Sequence, residues 1–181
     1  MKIRRRILSG VAFLISAATL VPAAQTDFTG TWLLDKSRSD TQQLGQGRLG
    51  RGGNSRGANV DLSTAEQKLI VTQTESEMTV ERMVSVGAQE HGLRQTFRLD
   101  GTQTTNQAGG RQGELKSKAK WNQGVLVIEG TQKMNSQRGQ MEISLKEEWS
   151  LSDDAKVLTI KTTRSTARGR ARTMTQVYNK Q

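Results

Sequence analysis

The sequence predicts an all-β fold, namely a single antiparallel up-and-down β-barrel of eight to nine strands. Apolar residues recur at every second position in successive segments from residue 68 onward, which is the period of a β-strand. Short turn-forming segments separate them, so consecutive strands should be antiparallel neighbours. No window after residue 30 shows helical apolar spacing. Closing such a meander into a barrel buries its apolar face and removes the exposed edges.

Residues 1–23 indicate an N-terminal signal peptide. They contain four basic residues, Lys2, Arg4, Arg5 and Arg6, followed by an uncharged apolar run at 7–21. That run is short for a transmembrane helix, which needs about 20 residues, although an uncleaved membrane anchor is the alternative. Cleavage after Ala23 would leave Val21 and Ala23 at the positions that require small side chains. We therefore expect an exported protein, periplasmic or extracellular.

The expected mature chain, residues 24–181, has the size of one domain. Removing residues 1–23 leaves 158 of the 181 residues and lowers the formal net charge from +10 to +6. This charge favours either simple solubility or attraction to an anionic surface. The chain has no cysteine, so neither a disulfide nor a lipid-modified cysteine is available.

Residues 36–59 are predicted to form a flexible Gly/Arg-rich loop within this domain. The stretch is polar, rich in glycine, arginine and serine, and has no apolar periodicity. Such a stretch cannot bury enough apolar surface to offset its ordering entropy. Its arginine–glycine pattern resembles RNA-binding segments, but an exported protein meets little RNA. We therefore expect a basic loop and no nucleic-acid partner.

The strand-forming segments after this loop are joined by recognisable turns. Asp100–Gly101 and Asn122–Gly124 are typical turn sequences, and Asp153–Asp154 begins another. Between these turns the period-two segments lie at 68–74, 77–86, 91–101, 114–121, 125–134, 138–151, 157–165 and 171–180.

Two charged residues lie on otherwise apolar strand faces. Arg82 lies between Val80 and Val84, and Glu147 lies between Leu145 and Trp149 in the same alternation. An unpaired buried carboxylate is costly, so an interior Glu147 should pair with an arginine such as Arg82. Polar groups inside a barrel are what a ligand site needs, which makes both residues candidate ligand-binding residues. A barrel-mouth position or a shifted strand register is the alternative.

The sequence offers little for catalysis. The only histidine, His91, is expected in a polar turn, and there is no cysteine, so no standard zinc site or histidine-activated nucleophile is predicted. Glu147 and Glu148 are adjacent on a strand and point to opposite faces, so they cannot act as paired carboxylates. We therefore expect no enzymatic activity, no cofactor and no metal site.

The segment TGTWLLDKSRSD carries Gly30–x–Trp32 at the start of the first strand. This resembles the lipocalin pattern, in which the tryptophan closes one barrel end beneath an arginine of the last strand. The resemblance implies Arg172 as that partner here. Together with AKWNQGVLVIEG, EEWSLSDDAKVLTI and VYNKQ, the chain resembles exported bacterial lipocalin-like (calycin-type) β-barrel proteins of unassigned function. Ala155 stands where glycine is usual in that pattern. The resemblance implies fold and export, and no catalytic residue.

Two functions follow as expectations. The first is an exported, monomeric, lipocalin-like barrel that binds a small apolar or amphipathic molecule without catalysing a reaction. The alternative is a structural or interaction module of the cell envelope with a filled core. That module would use the loop at 36–59 and the lysine face of Lys116, Lys118 and Lys120 to bind an anionic partner. A measurable interior cavity distinguishes the two.

Overall fold

The computed structural model describes residues 25–40, 65–108, 113–136, 139–166, 169 and 171–181. The predicted signal peptide at 1–23 and residues 41–59 of the predicted loop lie outside the described residues. Residues 36–40 of that loop are held against the last strand. There Asp40 accepts a hydrogen bond from the Thr175 amide at 2.8 Å, and Ser39 Oγ accepts one from the Val177 amide at 2.9 Å.

Ten strands make up the described part of the chain, and no helix is present in it. They are β1 (Gly30–Leu34), β2 (Glu66–Gln73), β3 (Glu77–Val86), β4 (Gln89–Arg98), β5 (Thr104–Ala108), β6 (Gly113–Asn122), β7 (Val125–Ser136), β8 (Gly139–Leu151), β9 (Val157–Thr166) and β10 (Arg172–Lys180). All pairings are antiparallel between chain neighbours, and β1 also pairs with β10. The structure thus confirms an all-β up-and-down barrel. It has one strand more than predicted, because β5 has the polar sequence TTNQA, which shows no apolar alternation.

The barrel is closed between β4 and β5 by side chains instead of a backbone ladder. The Thr96 amide donates to Asn106 Oδ1 and Asn106 Nδ2 donates to the Thr96 carbonyl, both at 2.8 Å. Gln95 Nε2 donates to the Gln107 carbonyl at 3.1 Å. The side-chain amide of Asn106 therefore makes the two hydrogen bonds to Thr96 that a backbone group of a paired strand would otherwise make.

The predicted turns are present where the sequence placed them. Gln123 and Gly124 have positive φ angles of 49° and 83°, as a two-residue type I′ hairpin between β6 and β7 requires. Gly101 has a φ of 84° after β4. Ala155, in the turn between β8 and β9, has a φ of 54°, which accounts for glycine being usual at this point of the pattern.

Large aromatic side chains fill one end of the barrel, called here the closed end. Phe28 packs with its ring parallel to that of Trp121 at 5.7 Å between centroids and edge-on to Trp149 at 5.8 Å. Phe28, Trp149 and Tyr178 are fully buried, and Trp121 is partly buried. Aliphatic residues that alternate inward along the strands continue the core from this cluster.

Trp32 also lies in the closed end, but its cationic partner is Lys180 and not Arg172. Lys180 Nζ lies 5.3 Å from the Trp32 ring centroid, and Trp32 Nε1 donates to the Phe28 carbonyl at 2.9 Å. The two residues are direct partners in the β1–β10 ladder. Arg172 lies at the other end of β10, roughly 27 Å away at the rise of an extended strand. Gly30 has a φ of 146°, and a Cβ there would lie 3.0 Å from Lys180 Cε.

The position predicted for His91 is corrected as well. It lies in β4, opposite Val84 of β3, and is exposed, because the turn consists of Gly87 and Ala88. Within the described ranges, no helix has the length and apolar character to cross a membrane.

Candidate functional site: the barrel interior

The barrel encloses a cavity of about 310 Å³. One part of its lining is apolar and comes from β4 to β8: Leu93, Phe97, Ala108, Leu115, Ile128 and Leu145. The other part is polar or charged and comes mainly from β3 and β8 to β10: Arg82, Gln95, Gln132, Glu147, Thr162, Arg164 and Gln176. The cavity is therefore amphipathic, with apolar and polar regions facing one interior space.

Arg82 and Glu147 form an ion pair across this interior. Arg82 Nη2 donates to Glu147 Oε2 at 2.7 Å, and the Glu147 side chain is only 7% exposed. Trp149 Nε1 donates to the same oxygen at 3.0 Å, and the Arg82 guanidinium lies 5.6 Å from the Trp149 ring centroid. β3 and β8 are separated by β2, β1, β10 and β9, so the contact spans the barrel. The pairing inferred from the sequence is confirmed, while its role in ligand binding stays a prediction.

This ion pair neutralises the charge in the deeper part of the cavity. Two donors satisfy the Glu147 carboxylate, and the aromatic face of Trp149 supports the Arg82 guanidinium. Tyr178 lies close to the pair and is fully buried. Burial raises the pKa of the Tyr178 hydroxyl to about 12; the positive charge of Arg82 partly opposes this rise and the negative charge of Glu147 adds to it.

The sequence identified neither the polar lining residues Gln95, Gln132, Thr162 and Gln176 nor the charged lining residue Arg164. Arg164 continues the inward phase of Leu158, Ile160 and Thr162 along β9, so the alternation contained the signal, but its exposed position obscured it. In the β9–β10 ladder it lies directly opposite Arg172. Neither arginine side chain has a hydrogen bond or ion pair with another described residue. Both lie at the end of the barrel away from the aromatic cluster, called here the open end.

The predicted lysine face lies on the outside of β6, where two of the three lysines have an acidic neighbour. Lys116 Nζ lies 3.8 Å from Glu114, and Lys118 is the direct cross-strand partner of Glu129. Lys120 is opposite Val127. The positive potential of this face is therefore partly cancelled locally.

No group of three or more histidine, cysteine, aspartate and glutamate side chains is close enough to hold a metal ion in the ranges that the structure covers. The interior holds the Arg82–Glu147 ion pair, and the like-charged pair Arg164 and Arg172 lies at the open end. This interior can enclose an apolar body and solvate polar groups at its edge.

Comparison with solved structures identifies the architecture. The zebrafish ileal bile acid-binding protein in complex with cholic acid has a TM-score of 0.53 at 14% identity, covering 85% of this chain and 98% of that chain. Human cRBP IV has a TM-score of 0.53 at 14% identity, with coverages of 86% and 99%. The chain has a calycin fold. Lipid binding protein 8 of Caenorhabditis elegans, in its apo form, has a TM-score of 0.54 at 12% identity, covering 88% of this chain and 100% of that chain.

At these identities the likeness shows the fold alone. No protein-family model matches the sequence, and no curated protein sequence matches it. Two of the neighbours named above are called binding proteins, one for bile acids and one for lipids. The residues that would determine a ligand must therefore be read from this chain's own cavity.

Proposed function

We propose that the protein is an exported calycin-type binding protein for a small apolar or amphipathic molecule and that it catalyses no reaction. The observation that carries this proposal is the amphipathic cavity of about 310 Å³ inside the barrel. Ligand pockets in proteins typically measure about 300–1,000 Å³ and combine an apolar lining with a few polar groups. Leu93, Leu115 and Ile128 supply such an apolar surface, and Gln132 and Thr162 supply polar groups.

The architecture of the named neighbours supports the same reading, since one was solved with cholic acid in place and another is named a lipid binding protein. The charged side chains of the interior support a binding role over catalysis. The Glu147 carboxylate already accepts hydrogen bonds from Arg82 and Trp149, so it is poorly placed to act as a base. Export rests on the signal-like character of residues 1–23.

Native mass spectrometry of the protein produced in an exporting bacterial host tests this proposal. The full chain is expressed, recovered from the periplasm or medium, and measured first intact and then after gentle denaturation. We expect the mass of a mature chain that begins at Ala24, and a reproducible co-purifying small molecule that is lost on denaturation. A protein retained in the cytoplasm at its full mass would contradict export.

A protein that neither carries a ligand nor binds an added apolar probe would contradict the binding function. The envelope-module alternative predicts salt-sensitive binding to anionic vesicles instead. The acidic neighbours of Lys116 and Lys118 weaken the positive charge of this surface, which favours the cavity as the functional site. A matched comparison of anionic and zwitterionic vesicles at low and high salt distinguishes the two functions.

A further inference from the structure

We infer that the ligand is an amphipathic anion and that Arg164 binds its charged group at the open end of the cavity, an inference that rests on the proposed function. The apolar body would extend inward from that group along the aliphatic lining. Two observations on the charges of the interior and one on its apolar surface lead to this assignment.

The first is that the deeper arginine is already neutralised. Arg82 lies 2.7 Å from Glu147, whose side chain is 7% exposed. An anion brought to Arg82 would have to displace Glu147 or lie beside it, and either arrangement places a second negative charge in a poorly solvated space. The positive charge at the bottom of the cavity is therefore not available to a ligand.

The second observation is that Arg164 lines the same cavity with its charge uncompensated. Among the described residues its side chain has no hydrogen bond or ion pair, although its guanidinium has five N–H donors. Its cross-strand partner is Arg172, and like charges directly opposite each other destabilise a sheet. An anion between the two side chains would remove this repulsion and receive charge-assisted hydrogen bonds. A carboxylate, sulfonate or phosphate matches the planar fork of the guanidinium.

The third observation is that apolar surface begins next to this arginine. Leu145 is the partner of Arg164 on β8. Leu115 and Ile128 line the cavity beyond it. A molecule with a charged group at Arg164 would therefore place its next atoms against aliphatic side chains. Burial of apolar area would then supply most of the affinity, and Arg164 would select for charge.

A pair of fluorescent probes that differ only in charge tests this inference. 1-Anilinonaphthalene-8-sulfonate and N-phenyl-1-naphthylamine share the same aromatic body, and only the first carries a sulfonate. Binding of each is measured with the unmodified protein, with Arg164→Gln and with Arg94→Gln. Arg94 is exposed on the outer side of β4, so its replacement makes the same change in net charge away from the cavity. Ala108→Phe fills part of the cavity and reports binding inside the barrel.

We expect Arg164→Gln to weaken binding of the sulfonate probe about tenfold, the size of one charge-assisted hydrogen bond. Binding of the neutral probe should change less than about twofold, and Arg94→Gln should leave both probes nearly unaffected. Ala108→Phe should weaken both probes. Circular dichroism checks that each variant remains folded, and Arg164 is exposed enough that its replacement should not unfold the barrel.

Each other result overturns a defined part of the reasoning. If both probes bind inside the barrel but Arg164→Gln changes them equally, or changes neither, the anion site is wrong and the binding function stands. An equal loss of the sulfonate probe in Arg94→Gln would show a general charge effect and also overturn the site. If neither probe binds, or if Ala108→Phe affects neither, the proposed function itself fails.

Discussion

Replacing only one member of the Arg82–Glu147 pair should lower the free energy of unfolding more than replacing both. The perturbations are Arg82→Met, Glu147→Gln and the double replacement. Methionine keeps most of the length of the arginine side chain, and glutamine keeps an oxygen that can accept the hydrogen bond from Trp149 Nε1. The three variants therefore differ mainly in which charge remains in the interior.

The expected free energies follow from burial. Arg82→Met leaves a carboxylate that is 7% exposed with Trp149 as its one remaining side-chain donor, so we expect a loss of about 3–5 kcal/mol. Glu147→Gln leaves the Arg82 guanidinium, which is 22% exposed and still faces the Trp149 ring. Because this group is better solvated than the carboxylate, we expect a smaller loss of stability, about 1–3 kcal/mol. The double variant leaves no buried charge, and its stability should lie within about 1 kcal/mol of the unmodified protein.

Urea unfolding followed by tryptophan fluorescence measures these differences, with the slope of each transition checked for constancy. The double-mutant cycle should give an interaction energy of at least about 3 kcal/mol. Single variants whose losses simply add in the double variant would refute the reasoning, because they would show that the two charges do not interact in the folded interior. Equal losses for the two single variants would refute the assigned difference in burial.

Three further outcomes are expected. Tyr178 is the only tyrosine of the chain, and its hydroxyl should ionise near pH 12 in the folded protein and near pH 10 in the unfolded chain. Because the folded state holds this proton more tightly, about 2–3 kcal/mol of stability that is fully present below pH 10 should be lost between pH 10 and pH 12. Asn106→Ala removes the two hydrogen bonds that its side chain makes across the β4–β5 seam and should lower the free energy of unfolding by about 1–3 kcal/mol, with faster amide exchange in β4 and β5. Ala155→Gly relieves a positive φ and should stabilise the protein by about 0.5–1 kcal/mol in urea unfolding.

Each of these outcomes has a matched control. Tyrosinate absorbance at 295 nm reports Tyr178 directly, and Tyr178→Phe should lose less stability over the same pH range; ionisation near pH 10 with unchanged circular dichroism would contradict its burial. Thr105→Ala, on the exposed side of β5, should leave the seam intact, so an effect as large as that of Asn106→Ala would argue against the side-chain bridge. Ala88→Gly, at a turn position whose own φ is not positive, should give no gain, and a gain equal to that of Ala155→Gly would contradict the strain argument.

Much of the barrel could be predicted from local pattern. Period-two alternation located the strands from β2 onward except β5, and turn residues such as Asp100–Gly101 fixed their antiparallel order, because both signals arise between residues close in the chain. The Arg82–Glu147 contact could also be inferred, although 65 positions separate the residues. The inference was possible because an interior charge requires a partner and few candidates lay on inward faces.

Other features could not be read locally. β5 has no apolar alternation; it forms by pairing with β6, and the Asn106 side chain joins it to the backbone of β4. The partner of Trp32 was misassigned because the choice between Arg172 and Lys180 depends on the register between β1 and β10. Arg164 was overlooked for a related reason: an arginine at the end of a strand points into the cavity or into solvent according to how the barrel closes around it.

The sequence by itself therefore determined the fold class, the order of the strands and the requirement that interior charges be paired. These properties depend on side-chain chemistry and on spacing along the chain, which the linear order contains. Only the tertiary structure decided that ten strands leave an amphipathic cavity, that Lys180 covers Trp32, and that Arg164 lines the open end without a partner. Those properties depend on which distant strands become neighbours, and the pairing register is set by the packing of the whole barrel.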